Sequence, residues 1–151
     1  MAEDGKDLVT RYLEEVFTNG RLDAMDTYLS GKTFIAGVAE LVTPWRTAFP
    51  DFMETVEEVY ADGDRVITVS SLSGTHEGVL DSRIGPIAPT GRSVRWSRIA
   101  IRRFDGERFV DGYFEEDDIG LLQQLGALDD PSVDHGRGRH SPLAPRDTAD
   151  R

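Results

Sequence analysis

A chain of 151 residues with 38% hydrophobic and 30% charged residues has the make-up of one globular domain able to bury a real core. It contains no cysteine, which excludes disulfides, thiolate nucleophiles and cysteine-held metals. The net charge of −11 argues against a nucleic-acid surface, since phosphate binding needs clustered Lys and Arg. No apolar run reaches the roughly 18 residues of a membrane span, and the acidic start MAEDGKDLV is unlike a signal peptide, so a cytoplasmic location is the default expectation.

In chain order, Asp4 to Thr18 carries Leu8, Val9, Tyr12, Leu13, Val16 and Phe17 at helical spacing, which predicts an amphipathic helix ended by Asn19-Gly20. Leu22, Met25, Tyr28 and Leu29 mark a second, short helix. A third is expected from Val38 to Phe49; Pro44 falls inside it, so Thr43 is expected to cap a new turn with Pro44 first. From Glu54 the period becomes two. ETVEEVYA and RVITVSSLSGTH flank Asp62-Gly63-Asp64, and SVRWSRIAIRRF and RFVDGYF flank Asp105-Gly106-Glu107, which predicts two hairpins joined by the long loop EGVLDSRIGPIAPTG. Ile119 to Leu128 reads as a last short helix. From Asp129 onward the chain holds three Pro, two Gly and few large apolar residues, which predicts a disordered tail over 129–151 behind a domain of 1–128. Helices followed by hairpins make an α+β domain: a curved antiparallel sheet packed on N-terminal helices, with a pocket between them.

The tail takes His135 and His140, leaving His76 as the body's one histidine, so no metal site is expected. The second predicted strand mixes polar and apolar residues on both faces; Ser70, Leu72 and His76 fall on one of them, as a pocket wall would require. His76 stands between Gly74 and Gly78, where backbone can approach a ligand, although a lone histidine is more often a structural hydrogen-bonder. The third strand places Trp96, Arg98, Ala100 and Arg102 together; Arg98 is either an exposed cation or, if buried, paired with carboxylates of the next strand. In the fourth, strict alternation aligns Asp111, Tyr113, Glu115 and Asp117 on the expected pocket face. Glu116 and Asp118 then read as acids that start the last helix, with Asp117 open to either role. Trp45, Trp96 and Phe49 are candidate pocket walls, with plain core packing as the alternative. No P-loop, dinucleotide fingerprint, nucleophile elbow or zinc signature occurs.

FPDF at 49–52, DGDRVITV at 62–69, GTHEG at 74–78, PTGRSV at 89–94, IAIRRFDGER at 99–108 and DDIGLLQQLG at 117–126 together resemble a SnoaL-like polyketide cyclase of the nuclear transport factor 2-like superfamily, over about Leu8 to Leu128. The resemblance implies a cone-shaped α+β fold with a deep pocket. It implies ring closure of an aromatic polyketide by intramolecular aldol condensation without a cofactor, in antibiotic biosynthesis. Asp117 matches the family's catalytic aspartate, and His76 matches a pocket-lining histidine; Tyr113, Glu115, Arg98, Trp96, Trp45, Ser70, Leu72 and Phe49 complete the expected site. A homodimer or homotetramer is implied, with a small-molecule substrate and neither nucleic acid nor membrane as partner. Four departures stand out: a short LSGKTFIA segment after Tyr28, Tyr113 where the family usually has Trp, Glu116 where it usually has another large residue, and Arg98 where a small residue is common. A hydroxylating or epoxide-opening enzyme, and a non-catalytic binding or dimerisation domain, are the competing readings on the same fold.

Overall fold

The computed structural model describes residues 2–128, so the expected tail lies outside the described residues. The first helix, α1 (Ala2–Tyr12), runs on through a wide π turn, Leu13–Thr18. Its apolar stripe is buried as the spacing requires: Val9, Tyr12, Leu13, Val16 and Phe17 are at most 2% exposed. Arg46 donates to the carbonyls of Phe17 and Thr18, which the end of the π turn leaves without helical partners. A 3₁₀ turn, Leu22–Ala24, leads into α2 (Met25–Tyr28).

The third helix differs from expectation. α3 (Lys32–Ala48) starts six residues earlier and runs unbroken through Pro44. Pro44 removes the donor to the Glu40 carbonyl, but both residues are exposed on one side of the helix, so water can satisfy that carbonyl. The inner side carries Val38 and Val42, and their burial holds the helix together across the break.

The hairpins pair as expected into one antiparallel sheet ordered β1 (Met53–Asp62), β2 (Arg65–Thr75), β5 (Ser93–Phe104), β6 (Phe109–Glu116). The loop between them contains a small hairpin of its own, β3 (Leu80–Ser82) with β4 (Gly85–Ile87). The last described element is α4 (Asp118–Gln124). The inner face follows one alternation through Val66, Thr68, Ser70 and Leu72 on β2 and Val94, Trp96, Arg98, Ala100 and Arg102 on β5, all buried. Helices α1 and α3 cover that face. A bulge at Val56/Glu58 and a register shift at Arg103/Phe104 bend the sheet. Among the described residues no helix is long and apolar enough to cross a membrane.

Candidate functional site

β6 is where alternation and structure part. Register pairs Arg98 with Glu116, Ala100 with Phe114 and Arg102 with Gly112, so Glu116, Phe114 and Gly112 share the inner face. Asp111, Tyr113 and Glu115 are exposed on the other side. The phase is set across the sheet. Arg98 is 2% exposed, and a buried guanidinium must meet carboxylates. It meets two: Nη1 donates to Glu54 Oε2 at 3.1 Å, while Nη2 and Nε donate to Glu116 Oε2 at 3.0 and 3.2 Å. Its guanidinium carbon also lies 4.6 Å from the centre of the Phe114 ring. Glu54 is fixed from the other side, because its backbone N–H donates to Thr18 Oγ1 at the end of the π turn, 3.0 Å away.

Glu116 therefore holds a carboxylate inside the protein. Burial raises its pKa, against the opposing pull of Arg98. Trp96 Nε1 also donates to Oε2, at 3.4 Å; Oε1 accepts no hydrogen bond from the described residues. Glu54 is more enclosed, with a fully buried Oε1 that has no partner among the described residues.

Beside this ion cluster lies a cavity of about 240 Å³. Tyr12 and Phe17 bound it from α1 and its π turn, Phe34, Gly37 and Val38 from α3, and Arg98, Arg102 and Phe114 from the sheet. Arg102 is 7% exposed; its Nη1 donates to Thr68 Oγ1 at 2.9 Å, and its guanidinium carbon lies 5.6 Å from the centre of the Tyr12 ring. Burial lowers the pKa of Arg102 and raises that of Tyr12, and each opposes the shift in the other.

Of the expected site residues, the structure brings Arg98 and Tyr113 to this cavity, and Tyr113 does so from a 66% exposed position. Asp117 corrects the expectation most. It is exposed, and its Oδ1 accepts the Gly120 N–H at 2.9 Å as the N-cap of α4, the role that favours Asp at a helix start. Glu115 is exposed on the outer face. His76 is fully buried but does not border the cavity: Thr90 N–H donates to its Nδ1 at 3.2 Å, and Phe49 packs on its ring at 5.5 Å. The flanking glycines bring α3 close rather than a ligand, since a Cβ at Gly78 would sit 2.1 Å from the Thr47 carbonyl oxygen. Trp45, Phe49 and Trp96 cluster with ring centres 5.3–6.1 Å apart and act as core, with Trp96 also supporting Glu116. Leu72 is core, and Ser70 is buried opposite Arg98. Periodicity places Arg102 on the right face but offers no reason to prefer it. From spacing alone Tyr12 is one more member of a helical stripe.

His76 thus has a structural role with a pH signature. Burial depresses its pKa below 6.5, so its contribution to stability is complete above about pH 6.5 and declines as pH falls toward the folded value. Glu116 has the opposite sign between the same pH values, so the comparison must be against wild type. His76→Gln is expected to flatten the loss of stability between pH 7 and 5, read by urea denaturation. An unchanged slope would reject a neutral buried imidazole.

No curated protein matches the chain. Among solved structures it is similar to a proposed polyketide cyclase from Acidithiobacillus ferrooxidans (27% identity, TM-score 0.70, covering 81% of this chain and 94% of that one). It shares its fold with TsrD from Streptomyces laurentii (23%, TM-score 0.69, 81% and 94%) and with a proposed SnoaL-like polyketide cyclase from Jannaschia sp. CCS1 (16%, TM-score 0.73, 85% and 95%). A family model described as SnoaL-like polyketide cyclase matches residues 7–125, from the stripe of α1 through Glu116 to α4. With its helices on a bent sheet and a cavity between them, the chain belongs to the SnoaL-like polyketide cyclase family.

Proposed function

We propose that the protein closes a ring on an aromatic polyketide by an intramolecular aldol-type reaction without a cofactor, with Glu116 as general acid and base. The carrying observation is the inward, desolvated Glu116 carboxylate, which stands just behind the cavity lining and is bound on one oxygen by Arg98, the member of the ion cluster that lines the cavity. Its ionised oxygen would take a proton from the carbon between two carbonyls. The resulting enolate carbon attacks a second carbonyl of the same molecule, forming the C–C bond, and the alkoxide recovers the proton from Glu116. Product and substrate are isomers. Burial brings the base closer to neutral pH, and enclosure between aromatic walls favours the folded, reactive conformer. The test is an aryl 1,3-diketone with a tethered ketone: the protein should accelerate both exchange of the activated C–H in D₂O and formation of a cyclised isomer. Exchange at the buffer rate, or a product heavier by oxygen or water, would reject the assignment.

We further propose a homodimer through the outer sheet face. Tyr60, Ile67, Ile101 and Tyr113 pair in register across all four strands, and Tyr60 and Tyr113 are 54% and 66% exposed. This row is flanked by both signs of charge, including Arg65, Arg103, Glu58 and Glu115, so a second copy related by a two-fold axis can match Arg against Glu. Sedimentation should give a dimer that Ile101→Lys splits into folded monomers; a monomeric wild type would reject it.

A further inference from the structure

Arg102 is a buried cation that no carboxylate of the described residues contacts; Glu54 attracts it only at longer range. Among the described residues it makes no ion pair, whereas Arg98, four residues away on the same face, takes both inward carboxylates. A guanidinium carries five N–H donors; here Thr68 accepts from one nitrogen and the Tyr12 hydroxyl also accepts from this side chain, so the donors left over can be used on the face of the cavity next to Tyr12. Glu54, already held by Arg98, offsets this buried charge without outweighing its desolvation, so an anion in contact with Arg102 would supply what is missing. The neighbouring backbone is fitted to this side chain: Gly112 lies opposite Arg102, and a Cβ there would stand 3.1 Å from the Arg102 Cγ.

We propose that Arg102, with the Tyr12 hydroxyl, is an oxyanion-binding subsite, and that the ligand is a planar arene bearing an ionised oxygen group at the edge that enters this end of the cavity. The guanidinium fork suits a carboxylate or an enolate, and Tyr12 can add one neutral O–H donor. Phe17, Phe34 and Phe114 supply apolar ring faces around the same space. Its volume of about 240 Å³ sets the size of the part enclosed. A cavity of roughly 150 Å³ takes one benzene ring and drug-sized ligands need about 300 Å³ or more, so one or two fused rings fit within. The inference deepens the cyclase reading by naming its substrate class, and it rests on this cavity being the substrate site.

The test reads binding of compounds that cannot cyclise, so it stands apart from any failure of turnover. Wild-type protein is titrated by calorimetry with 2-naphthoate, with 2-naphthol and with the neutral isostere 2-naphthalenemethanol. Naphthoate should bind at least ~10-fold tighter than the carbinol, the range expected for a charge-assisted hydrogen bond in a dry site. Naphthol affinity rising with pH toward that of naphthoate would assign an enolate-type group; naphthol staying weak as it ionises would assign a carboxylate. Arg102→Met should lower naphthoate affinity roughly 10–100-fold and leave the carbinol within about twofold. Its Tm should hold or rise, because Met fills a similar volume without a buried charge. Equal binding of naphthoate and carbinol by wild type overturns the proposal, as does a selectivity that survives Arg102→Met. A fall in Tm on removing Arg102 also counts against it, because that is the mark of a structural cation.

Discussion

Arg98→Met should destabilise the protein more than any other single change in the cavity wall, by roughly 3–5 kcal/mol, with a fall in Tm on the order of 10–20 °C. The side chains it pairs are almost wholly buried: Arg98 is 1% exposed, Glu54 0% and Glu116 8%. Removing the guanidinium leaves two buried carboxylates without the cation they share, one of them with an Oε1 that has no partner among the described residues. A domain of this size has about 5–15 kcal/mol of stability, so the variant should sit near the edge of folding. What is lost is charge compensation and the guanidinium's contact with the Phe114 ring, since Met retains most of the stem. The diagnostic experiment is therefore the triple variant Arg98→Met, Glu54→Leu, Glu116→Leu. It replaces the triad by apolar groups of similar length and should recover most of the lost Tm. It should also be inactive, because the proposed base is gone. A triple variant no more stable than Arg98→Met would mean that Arg98 acts through packing alone, and a single variant within about 1 kcal/mol of wild type would reject the triad as described.

The same triad explains how much of the site could be read from the chain. Helical and two-residue periods are local signals, so the order of helices and hairpins, and the inner faces of β2 and β5, follow from spacing alone. The phase of β6 does not. Its two alternations each carry an aromatic and acids: Tyr113 with Glu115 and Asp117, or Phe114 with Glu116. Nothing within the strand ranks one above the other. The choice is made from β5, where buried Arg98 requires an acid opposite it and Arg102 requires a residue without a side chain, and Gly112 and Glu116 meet both demands on one face. Asp117 then stands one residue beyond the strand, where its carboxylate closes the first turn of α4. His76 misled for a related reason: glycines on either side do permit close approach, but what approaches is the C-terminal end of α3. Pro44 shows the limit for helices, since burial of Val38 and Val42 outweighs a local break signal.

The largest functional effect should come from Glu116→Gln. Gln keeps an oxygen for the Arg98 and Trp96 donors and has the same length, so stability should stay within about 1 kcal/mol, while kcat on the tethered diketone should fall ~10²–10⁴-fold, the usual contribution of a positioned base. Asp117→Asn is the control that separates neighbouring acids. Asn caps a helix as well as Asp does, so both stability and turnover should be kept; Asp117→Ala should cost about 0.5–2 kcal/mol with turnover per folded molecule intact. The pH dependence gives an independent reading. Because burial raises the pKa of Glu116, the acidic limb of kcat/KM should lie above the ordinary glutamate range and disappear from the residual activity of Glu116→Gln. The stability effect runs in the sense that follows from a raised carboxyl pKa. The folded state holds this proton more tightly than the unfolded chain, so the contribution of Glu116 is greatest at low pH and is lost as pH rises through its folded value. Asp51, whose carboxylate accepts the Thr75 N–H and hydroxyl, and Asp105, which accepts two backbone N–H groups, have lowered pKa values and act oppositely, losing their contribution only as pH falls below about 4. Glu116→Gln should therefore weaken the decline in stability as pH rises toward 7 and leave the acid-unfolding limb below pH 4 in place, whereas full turnover by this variant alongside an inactive Asp117→Asn would return the catalytic role to the cap residue.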